Sequence, residues 1–179
     1  MSPPSLLPAF LRPARILSRI TSAAQLLGLF VVAYALLFHL SIVRGSSMAP
    51  GIHDGDRILV DHLSYFLGDV RRGDVVVLRC PLAPELDYIK RVIGLPGDDV
   101  RIEGGDVFVN GERLTEPYIA GPDPRSCLHE KVAPGHFFVL GDNREHSSDS
   151  REFGQVPRDF LRGRVELRVW PPERAGAVL

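Results

Sequence analysis

The sequence predicts an all-β domain of small, curled antiparallel sheets behind one N-terminal membrane-spanning helix. Three observations lead there. A run of 24 residues between Arg19 and Arg44 carries no charge, a series of short β-branched runs follows it, and turn dipeptides separate those runs. The chain has 179 residues, enough for an anchor and one domain with its own core.

The helix comes first. From Leu26 to Phe38 the run is almost wholly apolar, and about 20 such residues cross a bilayer as a helix. A cleavable leader has a shorter apolar stretch, roughly 7–15 residues, closed by a small-residue cleavage site. Here the run is longer and closes with His39-Leu40-Ser41-Ile42-Val43, which offers no such site. A core helix of a soluble protein would show a polar stripe, and none interrupts the run. Arg12, Arg15 and Arg19 precede the segment, whereas Arg44 stands alone behind it, before Asp54 and Asp56. Positive charge stays on the cytoplasmic side, so the N-terminus is expected inside. The expected organisation is a cytoplasmic tail over 1–19, a transmembrane helix over 20–43 and an extracytoplasmic β domain over 44–179, in a single-pass protein of the cell membrane. The apolar patch from Leu6 to Leu11 is too short to span.

Behind the anchor, strands are expected at Arg57–Asp61, Asp74–Leu78, Tyr88–Ile93, Val100–Ile102, Asp106–Val109, Phe137–Leu140 and Val165–Val169. Gly104-Gly105 and Asn110-Gly111 fit hairpin turns, Asn-Gly being the stronger signal. The Pro- and Gly-rich stretch from Ala120 to Pro124 reads as an external loop. No glycine-rich phosphate loop opens a helix, and no long repeat appears.

Composition narrows the partners. A formal net charge of -1 gives no basic field, so nucleic acid is not expected. Cys80 and Cys127 lack the spacing of a zinc or thioredoxin-type motif; they could pair in an oxidising compartment or be two unrelated buried thiols. No metal or organic cofactor is expected. Lys90 and Lys131 are the only lysines, beside nineteen arginines (21 minus 2). Codon bias accounts for that ratio, yet each lysine raises the question of why arginine would not serve.

Three segments carry candidate chemistry: Gly45-Ser46-Ser47-Met48-Ala49-Pro50, Asp87 to Asp98 around Lys90, and Gly141 to Arg151. In a strand, Tyr88, Lys90 and Val92 share a face, so Lys90 points among apolar neighbours. Desolvation lowers an amine's pKa and lets it accept a serine proton, which arginine cannot do. Taken alone, the alternation favours an ordinary solvated lysine.

The three segments resemble the conserved boxes of bacterial type I signal peptidases. Val43 to Pro50 resembles the nucleophile box, Tyr88-Ile89-Lys90-Arg91 the general-base box, and Gly141-Asp142-Asn143 through Ser147-Ser148-Asp149-Ser150-Arg151 the third. Gly73 to Val77 resembles the strand box between them. The resemblance implies the curled sheets of that family and a membrane-bound serine endopeptidase acting on exported preproteins after small residues at -1 and -3. It implies Ser47 as nucleophile and Lys90 as general base. Ser147 would orient the lysine, and Asp149 and Arg151 would form a structural ion pair. Gly45, Met48, Tyr88 and Ile89 would lie along the oxyanion and substrate lining, with the Ser47 N–H binding the oxyanion. Gly45 stands where some members carry a serine donor, which leaves the second donor open. Glu145 and His146 replace the commoner Asp-Asn. The stretch from Asp98 to Gly135 is short, so no extensive second β domain is expected.

Rival readings fit less well. A Ser-His-Asp hydrolase would need a nucleophile elbow, which Ser47 lacks. Eukaryotic-type signal peptidases carry histidine where Lys90 stands. Self-cleaving repressors share a Ser/Lys dyad but bear a DNA-binding segment and no anchor. A Ser-x-x-Lys enzyme is excluded by Pro50, three residues after Ser47. An inactive membrane-tethered adaptor would be expected to lose one of Ser47, Lys90 or Ser147.

Overall fold

The computed structural model describes residues 24–29, 31 and 38–178. Residues 24–29 and 31 are helical and exposed. Among the described residues no helix is long and apolar enough to cross a membrane. Much of the expected spanning segment, and all of the expected tail, lies outside them.

One part of the anchor prediction is corrected. Residues 38–42 are strand β1 (Phe38–Ile42), not helix. They pair antiparallel with β2 (Arg57–Asp61), from Phe38 opposite Asp61 to Ile42 opposite Arg57. The sequence Phe-His-Leu-Ser-Ile alternates apolar and polar residues, the period of a strand. Lack of charge had masked that alternation.

The rest of the domain adds β3 (Val75–Arg79), β4 (Asp87–Gly94), β5 (Asp99–Glu103), β6 (Asp106–Val109) and β7 (Glu112–Arg113). These are followed by β8 (Leu128–Lys131), β9 (His136–Leu140), β10 (Val156–Pro157), β11 (Leu161–Trp170) and β12 (Gly176–Ala177). All seven expected strands form, within a few residues of the expected ends. The larger sheet runs β1-β2-β11-β3-β4-β9-β10 with β12 beside β11, and a four-stranded sheet runs β7-β6-β5-β8. Every pairing is antiparallel. The segment between Asp98 and Gly135 forms this small sheet within the same compact unit, Phe38–Leu179.

The Asn110-Gly111 turn works through backbone sign. Asn110 (φ 55°) and Gly111 (φ 85°) both take the left-handed conformation that a two-residue hairpin turn needs. It joins β6 to β7.

β3 explains how the core is built. Val75 packs into one cluster with Met48, Ile52, Ile58, Val60 and Val165, joined by Val77 and Ile89. Val76 and Leu78, on the opposite face, pack with Val92, Phe137, Val139 and Val156. Both faces are covered, so the strand reads Val-Val-Val-Leu without a polar alternate. A third cluster (Ile93, Val100, Ile102, Val107, Phe138, Leu140) joins the small sheet to β4 and β9. The first cluster lies directly beneath the serine of the nucleophile-like segment.

Candidate active site

Ser47 sits in a tight loop between β1 and β2. The Val43 N–H donates to Asp56 O (2.8 Å) and the Gly55 N–H to Val43 O (3.0 Å), closing the loop at its base. Within it, the Ala49 N–H donates to Ser46 O (3.1 Å) and the Ile52 N–H to Met48 O (2.9 Å). Met48 and Ile52 are fully buried and pin the loop to the core. Burying two such side chains stabilises by about 1.5–3 kcal/mol each. Ser47, one residue before Met48, stays partly exposed on the opposite side.

Lys90 comes from the middle of β4, opposite Val76 of β3, and is only 3 % exposed. Its Nζ donates to Ser47 Oγ at 2.9 Å and to Ile89 O at 2.9 Å. The Tyr88 ring lies 4.9 Å away, as strand alternation predicts. Burial pushes the Lys90 amine down to about 8, against the pull of Asp149, Cys80 and Asp142, which favour its charge. A hydroxyl thus stands within proton-transfer distance of an amine that is partly neutral near pH 8.

A third loop holds the pair. The Asn143 N–H donates to Ser47 O (3.0 Å) and its Nδ2 to Ser46 O (3.1 Å). Gly141 must be glycine: a Cβ there would lie 2.6 Å from Ser47 O and collide with Ser147 Oγ. Asp149 is wholly buried and accepts from the Gly141 N–H (3.0 Å) and from Arg151 Nε and Nη2 (both 2.8 Å). The expected Asp149–Arg151 pair is therefore formed, and Arg151 extends it by donating to Arg144 O (2.7 Å) and Ser126 Oγ (2.9 Å).

One expectation is revised. Ser147 Oγ is buried with no hydrogen-bond partner, so it does not bond to Lys90; it packs against Gly141 instead. The Gly45 N–H donates to Asp54 Oδ1 (2.7 Å), and Gly45, at φ +94°, adopts a backbone that favours glycine. Its amide is thereby engaged in holding the loop. Cys80 is buried and Cys127 exposed, and both are free thiols, so neither pairs with the other.

Sequence reasoning missed a buried charge network on both sides of Asn143. Arg91 Nε and Nη2 make a two-pronged pair with Asp142 (2.9 and 2.7 Å). Arg144 Nη1 and Nη2 do the same with Glu116 (2.9 and 2.6 Å), while its Nε donates to Gly141 O (2.9 Å). Tyr118 bridges the two pairs: its ring is 3.9 Å from the Arg91 guanidinium and its hydroxyl donates to Glu116 (2.9 Å). Arg91, Asp142 and Arg144 lie in the quoted segments, where their neighbours gave a signal. Glu116 and Tyr118 stand in an irregular loop, where periodicity says nothing.

An open cleft of about 510 Å³ leads to Ser47 and Lys90. Ser41, Ile42, Arg44, Tyr88, Ile89 and His146 are among its lining residues, with Gly45 and Met48 at the nucleophile end. On one side it is walled by the edge strand β1 and by the first half of β4, whose outer edge is unpaired because β9 joins only from Arg91 onward. Among the described residues no group of three or more histidine, cysteine or carboxylate side chains could hold a metal ion.

The sequence profile of the family described as "Signal peptidase, peptidase S26" matches residues 16–170. A Synechocystis protein named probable signal peptidase I-2 is 43% identical over 139 residues, 75% of this chain. The chain spans just under two thirds, 64%, of that relative. A signal peptidase I of Leptolyngbya laminosa is 43% identical over 141 residues, covering 75% of this chain and 70% of its own. One of Bacillus caldolyticus is 39% identical over 158 residues, 79% and 85% of the two chains. The crystal structure of a signal peptidase I from Enterococcus faecalis V583 is 30% identical, with a TM-score of 0.49 over 54% of this chain and 96% of its own.

Proposed function

We propose a reaction for this chain from the premise that it belongs to the signal peptidase family, peptidase S26: it removes N-terminal signal peptides from exported preproteins as a membrane-bound serine endopeptidase with a Ser47/Lys90 dyad. The observation that carries the reading is the 2.9 Å contact between Lys90 Nζ and Ser47 Oγ, made by a lysine buried enough to lose its proton near pH 8.

Neutral Lys90 takes the Ser47 hydroxyl proton as Oγ attacks the scissile carbonyl. The Ser47 N–H, which donates to no group among the described residues, binds the developing oxyanion. Protonated Lys90 then delivers its proton to the leaving amine, which departs as the mature N-terminus. Water, deprotonated by the same amine, hydrolyses the acyl-enzyme. The preprotein lies extended between the unpaired edges of β1 and β4, with Ile42, Tyr88 and Ile89 among the residues that line the space for small side chains at -1 and -3. Asp149, Arg151 and Asn143 hold the loops that set this geometry, and Ser147 fills the space beside Gly141. The uncharged segment ending before Phe38 anchors the chain in the cell membrane with its N-terminus in the cytoplasm and the β domain outside.

Detergent-solubilised protein is expected to cleave a preprotein after an A-x-A motif, and Ser47→Ala and Lys90→Ala to abolish cleavage with the fold intact. Lys90→Arg keeps the charge and loses the basicity, so it too should be inactive. Full turnover by Lys90→Ala would sink the dyad.

A further inference from the structure

The loop that carries Ser47 is gripped at two places. Asn143 holds its first half, at Ser46 and Ser47. Its second half, residues 51–56, is held by Arg168 on β11 and by Arg174 in a one-turn 3-10 helix, Pro172–Arg174.

Asp56 is the anchor point. It is only 1 % exposed, and a carboxylate so buried is costly unless it is paired and hydrogen-bonded. Its Oδ2 accepts from the His53 N–H (2.9 Å) and its Oδ1 from Arg174 Nη2 (2.5 Å). Arg174 Nη1 meets His53 Nδ1 at 2.5 Å; a guanidinium only donates, so that ring nitrogen accepts. Arg168 stands opposite the buried Ile58 of β2 and so faces the loop's side of the sheet. Its Nη1 donates to Gly51 O and its Nε to Arg174 O (2.5 Å), which links the two arginines to each other as well as to the loop. Behind them β12 pairs with β11, Gly176 opposite Arg168, and Val178 packs against the cluster that contains Met48 and Ile52. Residues 171–178 therefore grip the loop by charge over 51–56 and support it by packing beneath Met48, the neighbour of Ser47.

We propose that Arg168 and Arg174 are positioning residues for the nucleophile: through Gly51, His53 and Asp56 they fix the loop at the setting where Ser47 Oγ meets Lys90 Nζ. The inference rests on the peptidase reading above and adds two supports to it. Neither arginine is among the described residues that line the cleft, so both act through the loop and not on the substrate. Lys90 is fixed on β4, which leaves the setting of the loop to decide the 2.9 Å contact. A misplacement of roughly 1 Å, caused by a change away from the reacting atoms, costs as much as a hundredfold in rate. The substrate is held by β1 and β4, so the loss falls on kcat and spares KM.

The test uses the detergent-solubilised full chain and a peptide substrate with an A-x-A site, at a temperature well below the unfolding midpoint of every variant. Arg174→Gln and Arg168→Gln should each lower kcat by about tenfold or more and leave KM within about twofold. A merely stabilising contact would lower the melting temperature and leave kcat of the folded protein unchanged. Should Arg174→Gln fail to fold, the paired change Asp56→Asn with Arg174→Gln, which leaves no buried carboxylate alone, is read by the same criteria. Wild-type kcat in the folded variants, or a loss carried by KM alone, overturns the proposal. Ser47→Ala separates the two readings. If it is inactive while the arginine variants keep full kcat, only the positioning role is refuted; turnover that persists in it refutes the peptidase assignment.

Discussion

Lys90→Met should stabilise the fold while abolishing turnover, by an amount that fades as pH rises. Burial lowers the Lys90 pKa from 10.5 to about 8. The unfolded chain then binds more protons than the folded one between about pH 8 and 10.5, so the stability of the wild type rises with pH across that window. Below pH 8 the full penalty applies. At 1.36 kcal/mol per unit it amounts to about 3 kcal/mol at pH 7, about 2 at pH 9 and under about 1 at pH 10. Methionine has similar volume and no charge, so it escapes the penalty. The assay is urea unfolding of both detergent-solubilised proteins at pH 7, 8, 9 and 10, followed by the fluorescence of Trp170, the single tryptophan. The expected result is an advantage for Lys90→Met that shrinks by about 2–3 kcal/mol between pH 7 and 10. A stability difference that stays flat over that range would mean that Lys90 titrates alike in the folded and unfolded chains. The neutral-base argument would then fail.

The other predictions concern the dyad and its supports. In wild-type cleavage kinetics, kcat/KM should rise with pH to a plateau with an apparent pKa of about 8, because only the neutral amine takes the Ser47 proton; an acid limb near pH 6 would point to a different base. Glu116→Gln breaks the buried pair with Arg144 and should cost about 3–5 kcal/mol in urea unfolding. The paired change Glu116→Leu with Arg144→Met should recover most of that stability, and a recovery of less than half would show that the ion pair itself sustains the loop. Gly141→Ala should abolish cleavage and lower the melting temperature, since its methyl group would collide with Ser47 O and the Ser147 side chain; normal turnover would show that the loop can retreat.

Strand positions were legible because each leaves a local trace, whereas Ser47 and Lys90 stood out through the resemblance of their segments to a family's boxes, since alternation alone favours an ordinary solvated lysine. β-branched runs and Asn-Gly and Gly-Gly turns are short-range patterns. β1 was misread because an alternating Phe-His-Leu-Ser-Ile, placed at the end of an uncharged run, satisfies a hydropathy window as well as a strand period. β7, β8, β10 and β12 were missed for another reason. They have two to four residues each, and sequences such as Leu-His-Glu-Lys are set by their pairing partners and not by their own pattern. Ser147 shows a further limit. Its motif position says that a hydroxyl is needed nearby, but the direction of a rotamer depends on what Gly141 leaves open.

The support for the Ser47–Lys90 contact was illegible for a deeper reason, which also explains its form. Ser47 and Lys90 are 43 residues apart (90 minus 47), one in the loop between β1 and β2 and the other on β4, so neither fixes the other's distance. A third body must do so, and it is the loop from Gly141 to Arg144. Asn143 grips the backbone of Ser46 and Ser47, while Arg91, the neighbour of Lys90 on β4, grips Asp142. Ser47 and Lys90 are thus fastened, directly and through Arg91, to consecutive residues of one loop. On the Lys90 side this fastening is charged and buried, and charge-assisted pairs hold a loop more firmly than neutral hydrogen bonds of about 1 kcal/mol. Buried pairs add little net stability, yet losing one partner is costly. They therefore suit an element whose task is to keep a 2.9 Å contact in place. Arg144 and Glu116 extend the fastening to the loop that carries Tyr118, whose ring closes over Arg91. On this argument Glu116, far from Ser47 in sequence and absent from every motif, should affect kcat more than KM.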